Sequence, residues 1–466
     1  MLFTRSVGTE ALHEALAAPA PRLIAVRGDR GSEARAIVAQ AVRQWQDPDG
    51  HAVAAWFDAI PQLSSGQLRA FCVALQQIDD TIGDALSCSD WNAALTGLHH
   101  HVDATRKPVL LVLAGPDSLL GGDGTFASAL GDFWRQVRAR ALPVHLVLVL
   151  DRATRLPVGA DGRELEHTAI DLGAPTAVSV RDSLSAWSWR DRLQLLALLG
   201  SQPGRLRHID HSAGLRRNIQ RLVVDPDGPL HEGPLHDLHA SLTKPERYLA
   251  VLAALASGAQ EWGEVRGQVP ELAPGSTLAP YMNTLEEKGW VVASRSLDAR
   301  PETRKRRYRL RDPFVGFWLR AVAPNLGLIR LNGPAQAWKN QISSAADGWV
   351  QAALPSVIQA RLHDEVAPVL QVAARESGGL WGEGYDLPVA GTLTSGNAFY
   401  GMIVWGREAR LSDLEQLEMQ LRNTRYGFTR ETRVRVLFLD RPAPQALVRR
   451  AARSDDVELV ELSLLF

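Results

Sequence analysis

Apolar runs and amphipathic stretches alternate over the first part of the chain. Arg22 to Val26 is a short apolar run, followed by a glycine-containing turn and by helical spacing from Glu33 to Trp45. Pro108 to Leu113 and Pro143 to Leu150 are nearly continuous apolar runs, as expected for parallel strands covered by helices on both faces. A further strand and helix are predicted at His51 to Trp56 and Phe126 to Ala139. Residues 1–175 are therefore predicted to form a doubly wound α/β domain.

The spacing then becomes helical. Residues 176–240 are predicted to form a helical lid, which the turn-rich segment Asp225 to Pro234 interrupts. From Leu242 onward, three helices precede two short strands, predicted at Trp290 to Ala293 and at Arg307 to Leu310. Three helices followed by a β-hairpin are typical of a winged helix, which we predict for residues 241–330.

The last part of the chain is predicted to be a second α/β domain. Helical segments follow residue 330, and strand-like runs at Phe399 to Trp405 and Val434 to Leu439 are separated by a helix. Residues 331–466 are predicted to form this domain.

The turn after the first strand has the context of a phosphate-binding loop (P-loop) but not its residues. Such a loop needs GxxxxGK[ST], whose glycines wrap phosphate, whose lysine neutralises charge and whose hydroxyl binds Mg²⁺. Counted from Gly28, and with Gly31 inside the loop, the last three positions hold Glu33, Ala34 and Arg35. ATP hydrolysis is therefore not expected. Weak nucleotide binding by backbone N–H groups near Gly28 to Gly31 remains an alternative.

The metal-binding half of such a site is also missing. The best candidate strand for a terminal acid pair ends instead in Ala114 and Gly115, and Asp117 lies three residues further on. Residues 1–175 are thus predicted to be a degenerate, P-loop-like structural domain without a cofactor.

Composition narrows the choice of compartment and partner. The 466 residues are 45% hydrophobic and carry a formal net charge of -1, so any nucleic-acid surface is expected to be local. Two free thiols, Cys72 and Cys88, are favoured over a disulfide. The N-terminus does not have the pattern of a signal peptide, and no run approaches the length of a membrane span. A soluble cytoplasmic protein without membrane contact is expected.

The sharpest concentration of charge lies on the predicted wing, where Arg295 to Arg311 holds eight basic residues against Asp298 and Glu302. Basic side chains on a wing can reach phosphates of double-stranded DNA. The predicted recognition helix has no arginine and carries Glu286 and Glu287, which favours contact through the wing with modest sequence specificity. The predicted DNA-binding residues are Arg295, Arg300, Arg304, Lys305, Arg306, Arg307, Arg309, Thr277, Asn283 and Thr284.

Several stretches resemble one known family. The chain resembles archaeal-type AAA+/STAND ATPases in two segments and one block of residues. The segments are LLGSQPGRLRHID and NIQRLVVDPDGPLHEG, and the block consists of Asp312, Pro313, Phe314, Phe317 and Trp318. The resemblance covers most of the chain and is most specific from Leu198 to Asn325. It implies an ATPase domain, a winged helix and a C-terminal restriction-endonuclease-like domain.

The resemblance also implies where the nuclease residues would stand. A nuclease of this type needs an acid, an Asp, and Glu-x-Lys on the next strand to bind metal. Asp364 or Glu365 and then Asp386 match the acids, but Met402 and Val404 stand where Glu and Lys are needed. Both active sites are therefore predicted to be dead, with no catalytic residue and no metal.

Other candidate residues have structural interpretations. The run His99 to His101 and the histidines His208, His211, His231, His236 and His239 are predicted to lie at the surface or to cap helices. Trp262, Trp290 and Trp318 are predicted to belong to the winged-helix core. Arg422 to Arg435 is a second candidate for phosphate contact.

These observations predict a catalytically inert protein that binds duplex DNA through its wing, with the ATPase-like and nuclease-like domains as scaffolds. One alternative is a residual ATPase or metal-dependent nuclease. The other is a protein-interaction scaffold in a defence or mobile-element system, with a protein partner or a homo-oligomer.

Overall fold

The computed structural model describes most of the chain, and the chain divides into two compact units. The described residues are 7–28, 34–45, 52–60, 62–80, 82, 88–122, 124–151, 154, 156, 164–172, 184–242, 244–272, 278–300, 302–362, 374–428 and 432–466. The first unit comprises Met1–Pro175 with Gln202–Gly204, and the second comprises Thr176–Ser201 with Arg205–Phe466. Among the helices so described, none combines the length and apolar character that crossing a membrane requires.

The first unit is built on a five-stranded parallel sheet in the order β2-β3-β4-β1-β5. All six residues of β3 are buried, because helices cover the sheet on both faces. The strands are β1 (Arg22–Gly28), β2 (Val53–Asp58), β3 (Val109–Ala114), β4 (Val144–Asp151) and β5 (Thr168–Leu172). The predicted parallel-sheet α/β fold of this part of the chain is confirmed.

Alternate residues of each strand pack into two separate hydrophobic cores in the first unit. Leu111 and Leu113 belong to one core, whereas Leu110 and Val112 belong to the other, as the two-residue period of a strand requires. The helices that cover these faces are Val7–Ala17, Ala34–Trp45, Ser64–Leu75, Trp91–Thr105, Asp117–Gly122 and Gly124–Ala139.

A disulfide joins Cys72 and Cys88, so the prediction of two free thiols is wrong. Cys72 lies on the helix Ser64–Leu75, and the two Cα atoms are 6.2 Å apart, within the range that a disulfide can span. The prediction followed from composition and expected compartment, and neither reveals which residues become neighbours after folding.

The second unit begins with helices and ends with a mixed sheet. Its helices are Trp189–Leu199, Leu215–Ile219, Leu235–Ser241, Pro245–Ala256, Trp262–Gln268, Leu278–Glu287, Pro313–Phe317, Leu326–Asn332, Pro334–Ala337, Ser343–Leu362, Leu411–Leu421 and Gln445–Ala451. Gln220–Val224, Trp318–Val322 and Trp338–Ile342 are π-helical turns, and the short helix Pro203–Leu206 has residues of both units.

Three of these helices and a hairpin follow one another as the sequence predicts. The helices Pro245–Ala256, Trp262–Gln268 and Leu278–Glu287 precede the antiparallel strands β6 (Val291–Ser294) and β7 (Arg307–Leu310). Gly289 has a φ of 72°, a conformation that favours glycine, which explains why the third helix stops before it. We call residues 245–310 the helix–hairpin unit.

The second sheet contains five strands in the order β12-β11-β10-β9-β8. β9 pairs with β8 and β10 in antiparallel orientation, whereas β11 pairs with β10 and β12 in parallel orientation. The strands are β8 (Ala374–Gly382), β9 (Tyr385–Leu393), β10 (Ala398–Val404), β11 (Arg433–Leu439) and β12 (Val457–Glu461).

Three residue assignments made from the sequence are wrong. Trp262 is 38% exposed, whereas Trp290 and Trp318 lie in the core as expected. His99 is buried rather than at the surface, because Trp91–Thr105 turns that side toward the first unit's core. His231 is also buried, and its Nδ1 atom lies 3.0 Å from the carbonyl oxygen of Val223.

Candidate nucleic-acid interface

The hairpin places Arg307 against the second sheet. Antiparallel pairing sets Arg307 opposite Ser294, at the end of β7 next to the loop between the strands. Its guanidinium lies 2.9 Å from the carboxylate of Asp386 and 3.8 Å from that of Glu261. The same group lies over the Trp381 ring at 4.8 Å, a cation–π contact. Arg307 is therefore held by three neighbours within the second unit.

The loop between β6 and β7, residues 295–306, is docked on the second sheet, and we call it the wing loop. The Leu297 N–H donates to the carbonyl of Gly379 at 3.1 Å, and the Trp381 N–H donates to the hydroxyl of Ser296 at 2.9 Å. Leu297 also packs against the apolar core of that sheet. These contacts fix the base of the wing loop.

Asp298 adds a polar anchor to the wing loop. Its carboxylate accepts hydrogen bonds from the Tyr385 hydroxyl and, at 3.2 Å, from the Thr424 hydroxyl. Burial and the hydrogen bond to Asp298 raise the pKa of Tyr385 to about 12. The phenol therefore stays protonated at neutral pH and keeps donating to Asp298.

The predicted phosphate-contacting cations differ in what surrounds them. Arg306 is half-buried and lies 3.7 Å from Glu286, which compensates part of the negative charge on the third helix of the helix–hairpin unit. Five basic residues of this region are exposed: Arg295, Arg300, Arg304, Lys305 and Arg309. Of these, Arg309 is the most closely surrounded, and desolvation lowers the pKa of its guanidinium. The wing loop and hairpin thus present positive charge to solvent, with Arg306 and Arg307 committed to acidic neighbours.

Residues of the predicted recognition helix are only partly accessible. Asn283 is exposed and Thr284 is half-buried, whereas Thr277 lies outside the described residues.

The second arginine-rich segment lies beside the wing loop. Thr424, which contacts Asp298, stands between Arg422 and Arg425, and both of these arginines are exposed. Asn423 donates to the Gly384 carbonyl at 2.9 Å, which ties the segment to the turn between β8 and β9. The structure therefore brings together two basic segments that are more than a hundred positions apart in the chain.

Within the first unit, an arginine lies at the carboxyl end of the parallel sheet, where a nucleotide-bound metal would be expected. Gly28 ends β1, Ala34 begins the next helix, and Gly31 and Glu33 lie outside the described residues. The Arg35 guanidinium lies 3.6 Å from the Asp58 carboxylate at the end of β2. Its terminal nitrogen lies close to Gly115, so a side chain at that position would require the arginine to shift.

Acidic residues end two strands at this edge of the sheet, Asp58 opposite Ala114 and Asp151 opposite Gly28. The Asp58 carboxylate faces the Arg35 guanidinium. A second positive ion beside that guanidinium would be repelled.

The acids that the resemblance assigns to a nuclease site lie only partly within the described residues. Asp386 lies on β9 and is exposed, but it is paired with Arg307, while Met402 and Val404 lie on β10. Asp364 and Glu365 lie outside the described residues. Within the described ranges, no group of three or more His, Cys, Asp or Glu side chains could hold a metal ion.

Sequence reasoning missed Asp58, Trp381 and Glu261. Asp58 carries a weak signal, as an acid ending an apolar strand. Trp381 and Glu261 have none, because their role depends on how the hairpin meets the second sheet.

Comparisons with known proteins describe a broad similarity. No family model matches the chain. An uncharacterized protein of Methanocaldococcus jannaschii is 29% identical over 86 residues, which span 18% of this chain and 19% of that protein. The match therefore spans about a fifth of that relative.

Solved structures of two ATPase-related proteins are similar to this chain. One is a Walker-type ATPase of Pyrococcus abyssi, with 15% identity, a TM-score of 0.47, and coverage of 68% of this chain and 96% of that one. Another is the ORC2 protein of Aeropyrum pernix, with 14% identity, a TM-score of 0.43, and coverage of 75% and 95%. At these values neither similarity bears on activity.

Proposed function

We propose that this chain is a catalytically inert protein that binds double-stranded DNA through its winged helix, residues 241–330. Arg300, Arg304 and Lys305 of the wing loop and Arg309 of β7 contact the phosphates. The ATPase-like domain and the nuclease-like domain serve as scaffolds.

The observation that carries this proposal is the set of exposed cations on a docked wing loop. Arg300, Arg304 and Lys305 are exposed, and no hydrogen bond or ion pair of their side chains occurs within the described part of the chain. The loop that carries them is anchored through Ser296, Leu297 and Asp298. A fixed loop loses less conformational entropy on binding a polyanion than a mobile one would.

Catalytic inertness is supported by two arginine–carboxylate pairs. Arg35 faces Asp58 in the ATPase-like domain, and Arg307 faces Asp386 in the nuclease-like domain. In the second pair the guanidinium lies beside the acid that the resemblance assigns to a nuclease metal. Asp58 does not stand at the position of the missing acid pair, which falls on Ala114 and Gly115.

The test is duplex-DNA binding by a variant with Arg304→Ala and Lys305→Ala. Removing two phosphate contacts is expected to weaken binding at low salt by about tenfold or more, because phosphate contacts dominate nonspecific affinity. Fluorescence anisotropy of a labelled duplex measures the change.

A matched control removes the same charge elsewhere. Arg449→Ala with Arg453→Ala changes two exposed arginines near the C-terminal helix Gln445–Ala451 and is expected to leave affinity within about twofold of the unmodified protein. Equal losses in both variants, or none in the wing-loop variant, would contradict contact through the wing.

A further inference from the structure

An open cleft lies where the helix–hairpin unit meets the second sheet. Its volume is about 520 Å³, within the usual range for small-ligand sites. Three segments contribute to it: β7, the turn between β8 and β9, and the helix Leu411–Leu421 with the residues after it. The cleft is thus bordered by the same segments that bring the two basic loops together.

Glycines keep the cleft open at the turn between β8 and β9. At Gly382 any side chain would collide with the ring of Tyr385, which lines the cleft. Gly384 has a φ of 79°, and a Cβ atom there would come within 2.7 Å of the amide nitrogen of Asn423. The turn therefore allows both side chains to lie close to the backbone.

The polar lining combines donors and acceptors. It consists of one carboxylate, one guanidinium and three carboxamides: Asp386, Arg307, Gln416, Gln420 and Asn423. Asp386 is fixed from two sides, since its carboxylate lies 2.9 Å from the Arg307 guanidinium and its backbone N–H donates to the side-chain oxygen Oε1 of Gln420 at 2.8 Å. Carboxamides present a donor and an acceptor side by side, as the edge of a nucleobase does. Gln420 already accepts from the Asp386 N–H through Oε1, and Asn423 already donates to the Gly384 carbonyl through Nδ2.

The remaining lining includes a thioether and an aromatic ring. Met419 is 62% exposed and lines the cleft together with the ring of Tyr385. Aromatic and thioether groups make favourable contacts with ring faces. A ligand with a planar face and a polar edge therefore matches the lining better than a simple ion does.

Charge excludes two other ligand classes. A phosphate inside the cleft would meet the Asp386 carboxylate, and a metal ion would meet the Arg307 guanidinium. Phosphates are instead favoured outside the cleft, where Arg422 and Arg425 are exposed on one bordering segment and Arg304 and Lys305 on the other.

We propose that this cleft binds one unpaired nucleobase of a DNA strand whose flanking phosphates lie on the two basic segments. The inference rests on the proposed DNA binding and deepens it. It predicts a preference for DNA that already contains an unpaired base, because extruding a paired base costs a few kcal/mol.

The test compares a duplex carrying a single-nucleotide bulge with the perfect duplex of the same sequence. The full-length protein is expected to bind the bulged duplex about tenfold more tightly or better. In a variant with Gln416→Ala and Met419→Ala this preference is expected to fall to about one, with affinity for the perfect duplex unchanged. Both side chains are exposed, so the change leaves the core intact.

Ser412→Ala, an exposed position on the same helix outside the cleft lining, is the control and is expected to keep the preference. Equal affinity of the unmodified protein for both duplexes overturns the cleft site while leaving DNA binding intact. A preference that survives in the cleft variant also overturns it. Failure to bind either duplex overturns both the cleft site and the proposed function.

Discussion

Replacing Asp440 with alanine is expected to destabilise the second unit by about 3 kcal/mol, at the lower end of the range for breaking a buried ion pair. The Asp440 side chain is fully buried and accepts hydrogen bonds from Arg190 at 2.7 Å and from the Gly406 N–H at 2.8 Å. Its loss leaves the Gly406 N–H and the Arg190 guanidinium without this acceptor. A destabilisation at the lower end of this range is expected because Arg190 is 37% exposed and water can hydrate its guanidinium.

Hydrogen–deuterium exchange of the amides in β10 and β11 measures this change, since Asp440 follows β11 directly. Asp440→Asn keeps an acceptor for Gly406 and is expected to cost less than the alanine variant. Asp455→Ala, at an exposed acid, is expected to change stability by no more than about 0.5 kcal/mol. Unchanged exchange in Asp440→Ala would refute the structural role of this pair.

Trp318→Ala is expected to cost about 3 to 5 kcal/mol of unfolding free energy in the second unit. Trp318 is 2% exposed, and its Nε1–H donates to the His231 carbonyl at 2.8 Å. Gly233, with a φ of 53°, lies against the indole, so the surrounding backbone is shaped around this ring. Urea denaturation, followed by circular dichroism, measures the loss.

Trp262→Ala supplies the contrast for the same type of substitution. Trp262 is 38% exposed and its main ring contact is Tyr308, at 6.3 Å between centroids. A loss of about 1 kcal/mol or less is expected. Comparable losses in the two variants would mean that the helix–hairpin unit is packed differently from the arrangement described above.

The difference between these two tryptophans shows where prediction from sequence works. Periodicity locates a helix and its apolar side. Apolar runs predicted four strands of the parallel sheet, most clearly β3 and β4, which are apolar along nearly their whole length, but β5 was not predicted. Periodicity does not show which apolar residues at the edge of a small unit are buried by neighbouring side chains. Trp262 stands at the start of a seven-residue helix, where few neighbours are available to cover it.

Only the positive charge of the candidate interface could be predicted from the sequence. A cluster of basic residues in a hairpin loop is visible in the sequence, whereas its docking through Leu297 and Asp298 depends on a strand more than seventy positions away. The pairing of Arg307 with Asp386 has the same origin. Contacts between elements so far apart in sequence leave no local pattern to detect.

The two candidate centres share one feature. Arg35 pairs with Asp58 in the first unit and Arg307 pairs with Asp386 in the second, so one described acid in each region faces a guanidinium. The absence of the phosphate-loop lysine and of the Glu-x-Lys pair is visible in the sequence, whereas the two arginine–carboxylate pairs are visible only in the structure. The proposed inertness therefore has a positive chemical basis as well as missing motifs.

The central claim is phosphate contact by the wing, and the salt dependence of duplex-DNA affinity of the unmodified protein tests it most directly. Contact through about four cations predicts that the logarithm of the association constant falls linearly with the logarithm of salt concentration, with a slope of about −3 to −4. A slope near zero, or no binding at the lowest salt, would contradict the account.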